Sequence, residues 1–225
     1  MNPRSLAELR AVYRSAGWTS APTELAEPVA APARMLARLL VQKRPRQDLL
    51  SGVHNPFGHH ACPSEAWRFL DLAESAPLLD QVESVLGPDL VLWDSELYLD
   101  PAAWPRDEAL YWPADPLAGT VVALDLERRR TVLIDITRLA DVFDDIAPQP
   151  GPCYTLRYMP ATSLYNRDPR FGPNRLATQL RPLVNHCIRP IWLVRGKDRA
   201  GSDFVTGFAP PAARWADAVR LSPEP

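Results

Sequence analysis

Three of the four histidines of this 225-residue chain stand in one short stretch, HNPFGHH, at positions 54, 59 and 60. Imidazole nitrogens are zinc donors, and a loop could bring His54 and one of the adjacent pair onto one ion. The usual companions are missing, however. Cys62 alone stands at two-to-four spacing, and His59 and His60 diverge on any regular element. The stretch therefore reads first as a loop between two helices. Asp144 and Asp145 follow the apolar Phe143 and read as a solvated turn rather than an acid–base pair. Asp115 precedes Pro116 at the edge of an apolar run, the usual setting of a turn aspartate that accepts backbone hydrogen bonds. There is no glycine-rich phosphate loop, no GxSxG and no HExxH. The run Arg128-Arg129-Arg130 is short and flanked by Glu127, which suits a hairpin turn and not a nucleic-acid patch.

The elements that must position these residues fall into two textures. LAELRAVYRSAGW (6–18) spaces Leu6, Leu9, Val12 and Tyr13 at three and four residues and predicts a helix that Gly17 can end. PARMLARLLVQ (32–42) predicts a second, with Pro32 in its first turn. Pro63-Ser64 opens a third, Ser64 acting as N-cap ahead of Trp67 and Leu70. APLLDQVESVLG (76–87) predicts a fourth, with Gly87 at its C-cap. From residue 88 the pattern changes. DLVLWDSELYLD, GTVVALDL, RTVLIDITRL, CYTLRYM, RPIWLVRG and SDFVTGF are short β-branched and aromatic runs punctuated by Pro, Gly and Asp. Helices followed by strands predict an α+β, mainly β fold with helices packed on a sheet or barrel.

Composition bounds the function. Hydrophobic residues make up 46% and charged residues 23%, ordinary for a globular protein, and the chain is long enough to bury a core without disulfides. A formal net charge of −2 supplies no basic field for nucleic acid. Cys62, Cys153 and Cys187 are an odd set without CxxC spacing, which suits a reducing, cytoplasmic setting. The N-terminus does not read as a signal peptide, and no apolar run approaches the roughly 20 residues a membrane helix needs. The 25 prolines predict many short elements joined by irregular loops.

The order of the pieces resembles the phytanoyl-CoA dioxygenase family, loosely and over most of the chain. LRAVYRSAGW is similar to that family's opening helix. APLLDQVESVLGPDLVLWDSELYLD matches its helix, its Leu-Gly-Pro-Asp and its Trp-bearing strand. LYWPADPLAGTVVALDL looks like its metal-binding strand and the strand that follows. The resemblance implies a double-stranded β-helix, a jelly-roll barrel, as a single domain over 1–225. Residues 1–87 would be mostly helical, 88–208 the barrel and 209–225 a tail. It implies iron(II) and 2-oxoglutarate as cofactors, a facial triad of two His and one carboxylate, and a small-molecule substrate.

Residue by residue the motif is incomplete. Asp115 keeps the carboxylate position, while Pro113 stands where the first His belongs and has no lone pair to give. His186 is the only His after Asp115 and so the only candidate for the second ligand. Two placements of the 2-oxoglutarate clamp stay open. Arg195 and Lys197 straddle the spacing after His186, while CYTLRYMPATSLYNRD resembles a late Arg-Tyr strand of the family and would make Arg157 the clamp, in which case no distal His remains. By strand alternation Tyr111 shares the Asp115 face as a candidate catalytic residue, and Trp112 faces the opposite layer. Trp93, Tyr98, Tyr111 and Trp112 would line an apolar pocket. The expectation is weakened or lost iron binding. It leaves two functions: a divergent tailoring enzyme, or a non-catalytic small-molecule binder. No nucleic-acid or membrane partner is expected, and the residues do not fix the oligomeric state.

Overall fold

A computed structural model describes residues 3–21, 25–44, 46–54, 67–146, 151–180 and 185–204. Helices come first. α1 (Pro3–Ala16), α2 (Glu27–Lys43), α3 (Trp67–Ala73) and α4 (Ala76–Leu86) precede the long strand β3 (Leu90–Tyr98). Two short strands lie among them, β1 (Trp18–Ser20) and β2 (Leu49–Ser51). Then follow β4 (Ala114–Asp115), β5 (Thr120–Asp125), β6 (Arg130–Asp135), α5 (Leu139–Val142), β7 (Cys153–Pro160), β8 (Leu164–Tyr165), α6 (Gly172–Leu180) and β9 (Trp192–Arg195). Gly87 caps α4 as its sequence predicts, with φ at 101° and its N–H on the Glu83 carbonyl at 2.8 Å. α2 begins earlier than expected. Pro28 takes the first turn, and Pro32 lies inside the helix.

Seven strands form one antiparallel sheet in the order β1-β6-β5-β7-β3-β2, with β9 also paired to β3. β4 and β8 form a separate two-stranded ribbon. This is the double-stranded β-helix frame, an antiparallel two-sheet fold with flanking helices. The N-terminal part, expected to be mostly helical, also supplies the edge strands β1 and β2. Leu126–Arg129 turn the β5–β6 hairpin, as the arginine run suggests, with Arg129 at φ 56°. Of SDFVTGF, residues Ser202–Phe204 carry no regular structure, and 205–208 fall outside the described residues.

The two faces of the large sheet bury two cores. Leu92, Leu97, Leu124, Leu133, Leu156 and Tyr158 meet the helices. Tyr158 donates its hydroxyl to the Ala73 carbonyl at 2.7 Å, seating the end of α3 on the sheet. The opposite face carries Val91, Trp93, Val121, Ile134 and Met159, and packs against Trp112, Ala114 and Tyr165 around the ribbon. Strand alternation separates these sets, since neighbours along a strand point to opposite faces.

Candidate functional site: a buried charged cluster

β3 starts as an all-apolar strand and changes character after Trp93. A bulge between Leu92 and Asp94 resets its register against β7, as an extra residue in one strand must. Beyond it Asp94 stands across from Arg157, Glu96 from Thr155 and Tyr98 from Cys153. Directly opposed residues share a face, so the sequence D-S-E-L-Y places Asp94, Glu96 and Tyr98 beside Arg157, inside the frame. The outer edge of β3 is divided between two partners. β2 pairs with Glu96–Tyr98 and β9 with Leu90–Leu92. In the gap the Gly52 N–H reaches the Ser95 carbonyl at 2.7 Å.

Arg157 is the hub. Its Nη2 donates to Glu96 Oε2 at 2.7 Å, to Glu108 Oε1, and to the Tyr98 hydroxyl at 3.3 Å. Its Nη1 donates to Thr155 Oγ1 at 3.3 Å and stands 3.9 Å from Asp94 Oδ2. Tyr98 donates its hydroxyl to the same Glu96 oxygen. Arg189 pairs with Asp94 and donates from Nη2 to Ser51 Oγ at 3.2 Å. Glu96, Glu108 and Arg157 are at most 1% exposed. Charges buried that deeply persist only when paired and hydrogen-bonded, and the cluster supplies both. Glu108 comes from outside the sheet. It opens a 3-10 turn, Glu108–Tyr111, in the connection between β3 and β4. Its second oxygen, Oε2, has no hydrogen-bond partner among the described residues.

His54 closes one side. Its Nδ1 lies 2.7 Å from Ser95 Oγ, and its backbone N–H also points to that oxygen. Burial pushes the imidazole down to about 3, and the positive charges of Arg189 and Arg157 add to the shift. His54 is therefore neutral in the fold. His59, His60 and Cys62 lie outside the described residues.

The residues of the iron motif do not converge. In the ribbon, Ala114 pairs with Tyr165 and Asp115 with Leu164. Ala114 and Tyr165 are buried, whereas Asp115 and Leu164 are exposed. Asp115 thus points away from the interior that it was expected to face, and no described basic side chain reaches it. His186 is buried on the other side. Tyr165 donates its hydroxyl to the His186 carbonyl at 2.9 Å, and the imidazole meets Trp93 edge-on at 5.3 Å. A carboxylate and an imidazole on opposite sides of a two-stranded ribbon cannot chelate one ion. Among the described residues no group of three His, Cys, Asp or Glu could hold a metal.

The other expectations resolve as follows. Tyr111 is buried but sits on the 3-10 turn, so strand alternation does not relate it to Asp115. Trp112 does not face an opposite layer. It stacks edge-on against Trp93 at 4.8 Å and donates its indole N–H to the Ala118 carbonyl at 3.2 Å. Trp93, Trp112, Tyr165 and His186 pack against one another in the interior. Arg195 bonds Asp80 at 2.9 Å and Glu83 at 2.5 Å, tying β9 to α4. Lys197 is exposed, and its backbone N–H holds Asp89 at 2.8 Å. Of the three proposed carboxylate clamps, Arg157 alone enters the interior, and Glu96 and Glu108 already occupy it. The described residues of the motif therefore do not assemble an iron(II) and 2-oxoglutarate centre. A surface groove lined by Leu6, Ala7, Arg10, Asp80, Glu83 and Ser84 lies between α1 and α4, on the helical side.

Sequence reasoning missed Glu96, Glu108 and Arg189. The signal for Glu96 was present. Asp94 and Glu96 stand two apart within an apolar strand, and CYTLRYM carries one Arg in an equally apolar strand. Opposite charges on one face of two buried strands must meet. Nothing local marks Glu108, because a loop delivers it.

No family sequence profile matches the chain, and no curated protein does. Solved structures do. The epimerase SnoN, in complex with Fe3+, α-ketoglutarate and nogalamycin RO, superposes with a TM-score of 0.54 at 14% identity over 73% of this chain and 87% of that one. The non-heme monooxygenase ThoJ, in its apo form, gives 0.52 at 14% identity over 94% and 92%. CytC3 gives 0.51 at 12% identity over 92% and 96%. The chain shares their fold.

Proposed function

We propose that this chain is a divergent relative of the iron(II)/2-oxoglutarate oxygenases that no longer works through iron, and that it acts on a small organic molecule. The observation that carries this reading is the placement of Asp115 and His186 on opposite sides of the β4–β8 ribbon; the expectation that Pro113 stands at the first-ligand position agrees with it. The saturation of Arg157 by Glu96 and Glu108 supports it for 2-oxoglutarate. That one of the similar structures is an epimerase with nogalamycin RO supports a small organic molecule as substrate. A second reading, a non-catalytic binder, draws on the close packing of Trp93, Trp112, Tyr165 and His186.

The test is anaerobic reconstitution with iron(II), elemental analysis, and an assay for conversion of 2-oxoglutarate to succinate. The expected result is less than stoichiometric iron and no succinate. One tightly held iron per chain with turnover overturns the proposal. No helix among the described residues is long and apolar enough to cross a membrane. A single domain in a cytoplasmic setting belongs to the same reading.

A further inference from the structure

Glu96 and Glu108 both lie on one nitrogen, Nη2 of Arg157. Two carboxylates held this close, out of water, resist ionising together, and one keeps its proton. Their surroundings decide which. Glu96 Oε2 accepts from both Arg157 and Tyr98, bonds that favour the ionised form. Glu108 is fully buried, and its Oε2 meets no donor among the described residues. An ionised oxygen in that position would lose its hydration and receive nothing in return.

The elements packed against the Glu108 turn do not change this. They bring Arg138, Asp141 and Arg175. Arg138 is half-buried and spends its guanidinium on the Ser15 carbonyl, and the other two are exposed. Among the described residues, the charged and titratable groups gathered with Glu108 are Arg157, Glu96 and Tyr98.

The geometry points to Glu108 as a neutral carboxylic acid in the folded protein, a proton-holding site beside the Arg157 guanidinium. Its test is separate from the iron assay.

Two measurements on the full chain decide it. Infrared spectra at about neutral pH will show the carbonyl band of a protonated carboxyl, and Glu108→Gln will remove it. Gln is the neutral isostere, so it keeps what the protonated acid provides and needs no proton. Folding takes up a proton that the unfolded chain has released above about pH 4.3. The fold then loses stability to Glu108 as pH rises, until the folded acid itself ionises. Glu108→Gln should therefore be at least as stable as wild type near pH 7, with a folding equilibrium constant that gains about tenfold on wild type per pH unit. Absence of the acid band at neutral pH, or a Glu108→Gln variant less stable than wild type by the same margin at every pH, overturns the assignment. If the variant does not fold, the wild-type band and its loss on alkaline titration carry the test alone.

Discussion

The carbonyl of Pro113 accepts a hydrogen bond from the Asn166 N–H at 2.9 Å, so the residue expected at the first-ligand position takes part here through its backbone. A proline offers no N–H to a ladder, but its carbonyl still serves one. The proline thus still serves the local strand pairing. Restoring the missing side chain should not restore the site. Pro113→His would add an imidazole, while the adjacent carboxylate of Asp115 still faces solvent and His186 remains behind the ribbon. Titration of Pro113→His with iron(II), followed by calorimetry, should match wild type. A clear gain in affinity would mean that Asp115 and His186 can reach the same ion.

Asp115 itself should be nearly silent. It is exposed, at the end of a two-residue strand, and no described side chain pairs with it. Had it faced the interior, its loss would have stranded a buried base at roughly 3–5 kcal/mol. As an exposed residue its replacement by Ala should change stability by no more than about 0.5 kcal/mol. A denaturant melt of Asp115→Ala checks this, and a loss of several kcal/mol would contradict the outward placement.

The frame was legible in the sequence because periodicity reports burial. The helix-then-strand order, the Gly87 cap and the β5–β6 turn all follow from local signals. The site was less legible for a specific reason. The Trp-x-Ala-Asp run places Asp115 by analogy with a strand, but the residues before it, Glu108–Tyr111, wind into a 3-10 turn and leave β4 only two residues long. Period-two reasoning has nothing to act on there, so it misplaces both Tyr111 and Trp112. Arg195 was misread for a different cause. Its partners Asp80 and Glu83 are more than a hundred residues away on α4, and a side chain's partner across that distance is set by topology, not by spacing.

His54 gives the fold an acid-sensitive limb. Its ring is neutral in the native state, held down to about 3 by burial and then by Arg189 and Arg157. In the unfolded chain a histidine takes up its proton at about 6.5. The depressed native value means that this contribution to stability is complete above about 6.5 and declines as pH falls toward about 3, at up to about 1.4 kcal/mol per pH unit. His54→Asn, which has no titrating ring, should flatten the slope of stability against pH in that window even if its absolute stability is lower. Parallel slopes for wild type and variant, from denaturant melts across the window, would show that His54 titrates normally.

Arg157 is the residue on which the interior depends most. The carboxyl groups of Glu96 and Glu108 both meet its Nη2, and Thr155 Oγ1 and the Tyr98 hydroxyl also accept from it. Removing the guanidinium leaves Glu96 fully buried with the Tyr98 hydroxyl but without its cation. Breaking one side of a buried ion pair costs roughly 3–5 kcal/mol, a large share of the 5–15 kcal/mol that holds a typical domain folded. Arg157→Met should therefore be severely destabilised. Arg157→Met combined with Glu96→Gln and Glu108→Gln should recover much of the loss, since no anion is then stranded on that hub. A carboxylate-binding arginine that is free in the native state would behave differently: Arg157→Met would keep its melting temperature and lose affinity for 2-oxoglutarate alone. Thermal melts of the single and triple variants, with 2-oxoglutarate titrated into wild type, separate an internal ion-pair hub from a cofactor clamp.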